Sequence, residues 1–297
     1  MILVTGGCGY VGSALVPKLL ALNHHVTVVD IMWFGNFLER HRNLTVLRAD
    51  IRNFVIPCDV EAIIHLAGVA NDPCGELDPK LSWEINALAT MRLADSAFRH
   101  GIKRFIYASS GSVYGVKAEE QVTEDLSCEP LSEYNKTKMV AERVLLSYPG
   151  VQIIRPATVC GISPRMRLDV VVNMLTMQAM SGKITVLGGS QIRPNIHIDD
   201  MTDLYVFMLD HPELTGVYNA GFENLSILEI AGTITGRIAA DIEVLPSADP
   251  RSYRMNSDKL LNTGFRPKKT VSHAITEIIE SGIKDEPRWY NLQTMPR

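Results

Sequence analysis

Short apolar runs rich in β-branched residues alternate with helix-length amphipathic stretches over the first half of the chain. Ile2–Thr5 is the first such run; Val26–Asp30, Thr45–Arg48, Ala62–Leu66, Arg104–Ser109 and Val151–Arg155 follow it. Continuous apolar runs this short fit parallel strands covered on both faces. Helical patterns lie between several of them, notably over Val11–Ala21, Trp83–His100 and Ser132–Ser147. The alternation predicts right-handed βαβ units and an α/β fold with a doubly wound parallel sheet. After about Pro156 the pattern changes. Met166–Met180 is a Met-rich helical stretch, Lys183–Gly189 reads as a strand ending in a turn, and Ile196–Asp200 reads as a strand feeding a helix over Met201–Leu209. The last third mixes short elements with turn signals such as Ala248-Asp249-Pro250. No repeat, low-complexity tract or flexible linker separates these regions, so a smaller C-terminal domain is expected to pack directly on the first. The expected division is one domain over 1–157, to which 195–213 returns, and a second over 158–194 and 214–297.

Composition narrows the function classes. With 46% apolar and 21% charged residues, the 297-residue chain is ordinary for a soluble globular protein and long enough for a sizeable core. Lys and Arg number 29 against 33 Asp and Glu, a net charge of −4. That leaves no basic excess for a phosphate backbone, so nucleic acid is not an expected partner. No apolar run reaches the roughly 18 residues of a membrane span. Met1-Ile2-Leu3-Val4-Thr5 enters a Gly-rich turn with no basic leader before it. The five cysteines include no CxxC pair, and the histidines form no HExxH. Neither a disulfide framework nor a metal site is expected, and the setting expected is cytoplasmic.

The first candidate chemistry is Thr5-Gly6-Gly7-Cys8-Gly9-Tyr10-Val11-Gly12, which follows the first strand and opens the first helix. Gly6 permits a tight turn, Gly9 lets backbone approach a pyrophosphate, and Gly12 lets the helix pack on the sheet. The helix N-terminus then offers N–H groups to the anion. Asp30, eighteen residues past Gly12, ends the second strand. A carboxylate there accepts both ribose hydroxyls and repels a 2′-phosphate, so this Rossmann-type loop is expected to take NAD rather than NADP. Asp50-Ile51 follows the third strand, where adenine would lie. Leu66-Ala67-Gly68 follows the fourth, along the pyrophosphate and ribose. Each of these two segments, taken alone, reads more readily as a plain loop and only supports the assignment.

Tyr134-Asn135-Lys136-Thr137-Lys138 places Tyr134 and Lys138 on one face of a helix, with Ser132 as its N-cap. A phenol with an ordinary pKa near 10 is a poor base at neutral pH. A neighbouring ammonium and a cationic nicotinamide ring both favour the phenolate, which suits Tyr134 to exchange a proton with a substrate hydroxyl. The strand Arg104–Ser109 ends in Ser109-Ser110-Gly111-Ser112-Val113-Tyr114-Gly115. Ser110 is placed to hydrogen-bond the reacting oxygen, with Ser112 a second donor.

Gly loop, Ser-rich strand end and YxxxK helix occur in the order of the extended short-chain dehydrogenase/reductase family, which the chain resembles in its nucleotide-sugar branch. Thr5–Gly12 resembles TGGxGxxG, His65-Leu66-Ala67-Gly68 resembles HLAA, and Ser109–Gly115 resembles SSxxVYG. Arg193–Asp200 resembles RDFIHVDD, and Asp249–Lys259 resembles the late segment that closes over the nucleotide. The resemblance implies a homodimer and the catalytic set Tyr134, Lys138 and Ser110. It implies cofactor contacts from Gly6, Gly9, Tyr10, Val11, Gly12, Asp30, Asp50, Ile51, Leu66, Ala67, Gly68, Asn86, Ser109, Tyr134, Lys138 and Pro156. A nucleotide-diphosphate sugar would meet Ser110, Ser112 and Thr158, with Arg193 and Arg251 on its diphosphate. For the dimer, the helices around Trp83–His100 and Ser132–Ser147 supply Leu88, Leu93, Val140 and Val144 as candidate contacts, unless these face their own sheet. Asp199 and Asp200 are expected to cap the following helix, and His197 to be a structural strand residue.

Departures from the family pattern refine the reaction. Dehydratases of the branch carry Asp-Glu where this chain has Gly111 and Ser112, Thr158 stands where an Asn is usual, and Pro246 stands where an Arg is usual. Without the acid pair, water elimination lacks its proton donor and base. The expected function is therefore an NAD-dependent nucleotide-sugar epimerase inverting C4 through a transient 4-keto sugar. The alternatives are a 4-dehydrogenase or 4-ketoreductase with net redox, and a catalytically silent NAD-binding regulator. Cys160 and the Met-rich stretch read as core. Arg165 and Arg167 stand open between a phosphate contact and a solvated pair.

Overall fold

The structure, a computed structural model, describes residues 1–249 and 251–295; Pro250 of the late turn signal lies outside the described residues. The N-terminal part runs β1 (Ile2–Thr5), α1 (Tyr10–Ala21), β2 (Val26–Asp30), β3 (Leu44–Arg48), β4 (Ala62–His65), α2 (Asp72–Leu77) and α3 (Pro79–Ser82). A π-helical stretch over Trp83–Ala89 continues into α4 (Thr90–Arg99), followed by β5 (Arg104–Ala108), a 3-10 turn at Gly111–Tyr114, α5 (Glu133–Leu145) and β6 (Val151–Pro156). Then come β7 (Thr158–Cys160), α6 (Val171–Met180), β8 (Lys183–Leu187), β9 (Ile192–His197), α7 (Ile198–Asp210) and β10 (Gly216–Ala220). The chain finishes through β11 (Glu223–Ser226), α8 (Ile227–Thr235), β12 (Asp241–Leu245), α9 (Asp258–Leu261), α10 (Val271–Ser281) and α11 (Asn291–Thr294).

Seven strands form one parallel sheet in the order β10-β6-β5-β4-β1-β2-β3. Alternate residues feed two cores, as strand geometry requires. Val4, Val28, Ile64 and Ile106 meet Leu15 and Leu19 of α1 and Met201 and Leu204 of α7. Leu3, Ile63, Phe105 and Ile153 meet Leu93 and Ala97 of α4 and Ala141 and Leu145 of α5. Burial on both faces explains why these strands read as unbroken apolar runs. A third core joins α6, α8, α10 and β8 through Leu175, Ile230, Ile275 and Ile184. Cys160 belongs to it, and its thiol donates to the Ile196 carbonyl.

Three expectations need correction. The returning segment extends beyond 213, because Gly216–Ala220 pairs with β6 and completes the large sheet. The Met-rich helix begins at Val171 rather than Met166. Residues before it are held by other bonds: the Leu168 N–H donates to the Trp289 carbonyl, and the Asn173 amide donates to the Arg167 carbonyl. Met166 and Leu168 are nonetheless fully buried. Finally, β9 ends at His197 and α7 starts at Ile198, so Ile198–Asp200 is helical. The cap is His197, whose Nδ1 accepts the Asp199 N–H at 3.1 Å. Asp199 and Asp200 lie in the first turn, where acids favour the helix dipole. Asp200 accepts the N–H groups of Lys268 and Lys269.

Behind the C-terminal edge of the sheet lies an ion pair of Glu142 on α5 and Arg155 on β6, 2% and 5% exposed. Arg155 Nη2 is 2.7 Å from Glu142 Oε2, and its Nε donates to Oε1 at 3.1 Å. Ser109 donates to the same carboxylate. Arg155 Nη1 donates to the Tyr114 hydroxyl at 2.7 Å, which donates to Asn219 Oδ1 at 2.8 Å. Removing one partner strands a buried charge. Arg155→Met is expected to cost about 3–5 kcal/mol in urea unfolding. Adding Glu142→Leu should recover most of that loss, and a double variant no more stable than the single would contradict this account.

Candidate active site

The C-terminal ends of the parallel strands converge on one cavity of about 470 Å³. Gly6, at φ 72°, turns the chain out of β1. A Cβ on Gly12 would lie 2.5 Å from the Gly6 carbonyl oxygen, so the turn and α1 can meet this closely only as glycine. Gly9, Tyr10, Val11 and Gly12 line the cavity, and no side chain caps α1. Its first N–H groups are thus free for an anion. Asp30 lines the cavity too; its carboxylate accepts the N–H of Met32 at 2.7 Å and of Cys8 at 3.0 Å. Lone pairs remain for ribose hydroxyls. Burial pushes its pKa up, against the pull of those two N–H groups.

Asp50, Ile51, Leu66, Ala67, Gly68, Ser109 and Pro156 complete this wall. Asp50 holds Arg52 in a fork, with Nη2 at 2.6 Å, which lowers its pKa. Asn86 is the one expected cofactor contact that does not reach the cavity wall. Within the π-helical stretch, its Oδ1 accepts the Val69 N–H at 2.8 Å. Its Nδ2 donates to the Val69 carbonyl and the Thr137 hydroxyl. It ties the loop after β4 to α5.

The reacting half is carried by α5. Ser132 caps it by accepting the Asn135 N–H. Tyr134 and Lys138, one turn apart, both face the cavity. Lys138 Nζ donates to the Ala108 carbonyl at 2.9 Å and sits 6.0 Å from the Tyr134 ring centre. Ser110 faces the cavity with Tyr134 and lies 2.7 Å from the Ser112 hydroxyl, which donates on to Asn135. Burial pushes the phenol up to about 12, opposed by Ser110 and by the charge of Arg167. Burial also brings Lys138 down to about 8, opposed by Glu142. The expected help to the phenolate thus comes most directly from Arg167.

Thr158, Arg193 and Arg251 stand on the far wall. Arg193 Nη2 and Arg251 Nη2 both contact Asp249 Oδ2, at 2.9 and 2.8 Å, and Arg251 also pairs with Asp72. Asp72 in turn accepts from Ser132 at 2.5 Å. Arg165 and Arg167 are not a solvated pair: both line the cavity, and Arg167 is bonded to Asp169 at 2.8 Å. Asp72, Asp169 and Tyr253, also on the wall, were missed by sequence reasoning. Asp72 pairs with Arg251 far along the chain, so nothing local marks it.

A profile of the NAD dependent epimerase/dehydratase family matches residues 2–221. The chain belongs to this family. Its cofactor is NAD, and the cavity fits it: a glycine cradle no Cβ could enter, uncapped N–H groups and a ribose-facing carboxylate lie in sequence along one wall. The UDP-glucose 4-epimerase of Corynebacterium glutamicum is 26% identical over 93% of this chain and 93% of its own length. The uncharacterized UDP-glucose epimerase YtcB of Bacillus subtilis is 33% identical over 78% of this chain and 80% of its own. The structure of the UDP-glucuronic acid 4-epimerase of Bacillus cereus with UDP-glucuronic acid and NAD superposes with a TM-score of 0.81. It is 26% identical and covers 94% of this chain and 99% of its own. No helix among the described residues is long and apolar enough to cross a membrane.

The Asp30 carboxylate is expected to set the choice between dinucleotides. NAD is expected to bind at least about tenfold tighter than NADP, and Asp30→Ala to shrink that ratio mainly by weakening NAD. Calorimetric titration of both cofactors checks it; equal affinities for the parent protein would remove Asp30 from this role.

Proposed function

We propose that this protein is a nucleotide-sugar epimerase that inverts C4 of the sugar through a transient 4-keto intermediate. The reading rests most on Tyr134, Ser110 and Lys138 gathered on one wall of the NAD cavity, with the Lys138 ammonium 6.0 Å from the Tyr134 ring centre. Bound NAD supplies the acceptor, and then the donor, of a hydride. Tyr134 takes the C4 hydroxyl proton as the hydride leaves, and Ser110 hydrogen-bonds the reacting oxygen. The phenol returns the proton when hydride comes back to the opposite face of the ketone. Lys138 and Arg167 stabilise the phenolate electrostatically. Relatives named as UDP-glucose 4-epimerases, and a neighbour solved with UDP-glucuronic acid, support a uridine-diphosphate sugar as substrate. Arg193 and Arg251 carry the charge suited to its diphosphate, which would compete with Asp249 for both guanidinium groups.

The packing at Gly111 favours this reading over elimination. A Cβ there would lie 2.4 Å from Met255 Cε and 3.1 Å from both the Pro156 carbonyl and the Tyr253 hydroxyl. An acidic side chain at that position would have to displace Met255 and crowd the Pro156 carbonyl and the Tyr253 hydroxyl. The remaining alternative in the branch, net redox, differs in its product. Epimerisation should convert the sugar without accumulating NADH, whereas a dehydrogenase accumulates it in step with product.

Tyr134→Phe removes the phenolic oxygen while keeping the ring. Single-turnover reduction of bound NAD by UDP-sugar should slow by at least about 10²–10⁴-fold, with NAD affinity nearly unchanged. Ser110→Ala should cost less, since the phenol remains. A Phe variant reducing NAD at the parental rate would show that another group is the base.

A homodimer through the α4–α5 face also belongs to this proposal. Leu88 is 47% exposed there, Val140 and Val144 are half-buried, and Leu93 at 3% packs on its own sheet instead. Light scattering at micromolar concentration should give the dimer mass, and Leu88→Glu should lower it. A monomeric parent protein would end this part of the reading.

A further inference from the structure

Arg165 is among the largest fully buried side chains of the protein, 1% exposed, and it lines the cofactor cavity. The other buried or half-buried arginines near the site each have a carboxylate. Arg155 has Glu142, Arg167 has Asp169, and Arg193 and Arg251 share Asp249. Arg165 has no carboxylate at ion-pair distance among the described residues. Its contacts are the neutral Asn291 side chain, with Nη2 2.6 Å from Oδ1, and the face of Phe34, 4.1 Å from the guanidinium carbon. Its Nε has no hydrogen-bond partner among the described residues. A buried guanidinium in this condition carries a desolvation penalty that neither contact offsets. Burial accordingly brings its pKa down to about 10.

The group is nevertheless firmly placed. The Arg165 N–H donates to the Ser13 hydroxyl at 3.0 Å. Ser13 and Ser163 hydroxyls lie 2.9 Å apart, and Ser163 donates to the Tyr10 carbonyl at 2.6 Å. The 163–165 segment is therefore bolted to the first turn of α1, whose N–H groups face the same cavity. The segment that carries this unpaired cation is joined to the helix N-terminus across about 150 residues of chain, and both face one cavity. Both features select an anion, and the pyrophosphate of the dinucleotide is the anion that belongs at this turn.

We propose that Arg165 is the counter-charge of the cofactor pyrophosphate, a guanidinium delivered from beyond the Rossmann sheet that closes over the dinucleotide and completes its own pairing only when the dinucleotide is bound. Two consequences distinguish this role from a structural one. Removing the guanidinium weakens cofactor binding. It also relieves the empty protein of an unpaired buried charge.

The test uses the cofactor-free protein with ADP-ribose, NADP, adenosine and UDP as probes, read by calorimetry, together with thermal unfolding without ligand. In Arg165→Met, ADP-ribose should bind about 10- to 100-fold more weakly, as expected for loss of a charged hydrogen bond. Adenosine and UDP should be unaffected, and the ligand-free variant should melt no lower than its parent. Undiminished ADP-ribose affinity in Arg165→Met would overturn the proposal. So would a loss confined to UDP, which would assign the guanidinium to the sugar nucleotide. A loss confined to NADP would assign it to a 2′-phosphate and overturn it likewise. If the Met variant does not fold, Arg165→Lys decides. It should keep a clear preference for ADP-ribose over adenosine, and a folded Lys variant without that preference refutes the role.

Discussion

The buried pair of Glu142 and Arg155 is the constraint from which the reacting half of the site hangs. Glu142 lies one turn beyond Lys138 on α5, so its carboxylate fixes the helix that carries both Lys138 and Tyr134. It accepts from Ser109, which sets the end of β5 and with it Ser110. Through Arg155 and Tyr114 the same network reaches Asn219 on β10, at the far edge of the sheet. Its charge also opposes the loss of the Lys138 proton. A neutral core at this point could pack as tightly, but it would not hold these side chains in one arrangement. Buried polar networks of this kind specify geometry more than they add stability.

What could be read from the sequence was what depends on neighbours in the chain. The Gly loop, Asp30 and the four-residue spacing of Tyr134 and Lys138 are set by a strand, a turn or a single helix. The cavity gathers them as their spacing implies. The ends of parallel strands collect on one edge, so Ser109, Ser110 and Pro156 were legible for the same reason. Distant pairings were not. Asp72 meets Arg251 across 179 residues, and Arg165 meets Asn291 across 126. Neither position has a local pattern to announce it. The missed start of α6 has the same origin: Met166 and Leu168 are as apolar as the helix that follows, but bonds from Leu168 to Trp289 and from Asn173 to Arg167 hold the segment outside it. Asn86 shows the converse. Its position was visible, while its use as a strap to Val69 and Thr137 needed the fold.

Burial draws Lys138, Arg165 and Arg193 on the cavity wall toward their neutral forms, and Asp30 and Tyr134 with them. At these groups desolvation outweighs local pairing, as in a site arranged to be dry when filled, whereas Asp50, Arg167 and Arg251 are held charged by their partners. Such a wall is costly without ligand and becomes favourable once anions and hydroxyls complete its hydrogen bonds. For chemistry that passes through a ketone and a reduced cofactor, this is the useful condition. In the proposed reaction a dry site would keep water from the carbonyl and let each fixed charge act more strongly than in solvent. Tyr134 illustrates the balance. With its pKa raised by burial, the phenol stays protonated at neutral pH, and the cations around it favour the phenolate in proportion to how completely bound ligands displace water. In the proposed reaction, phenolate formation is in this sense a property of the filled cavity, which would couple proton transfer at Tyr134 to the arrival of the molecule whose hydroxyl it deprotonates.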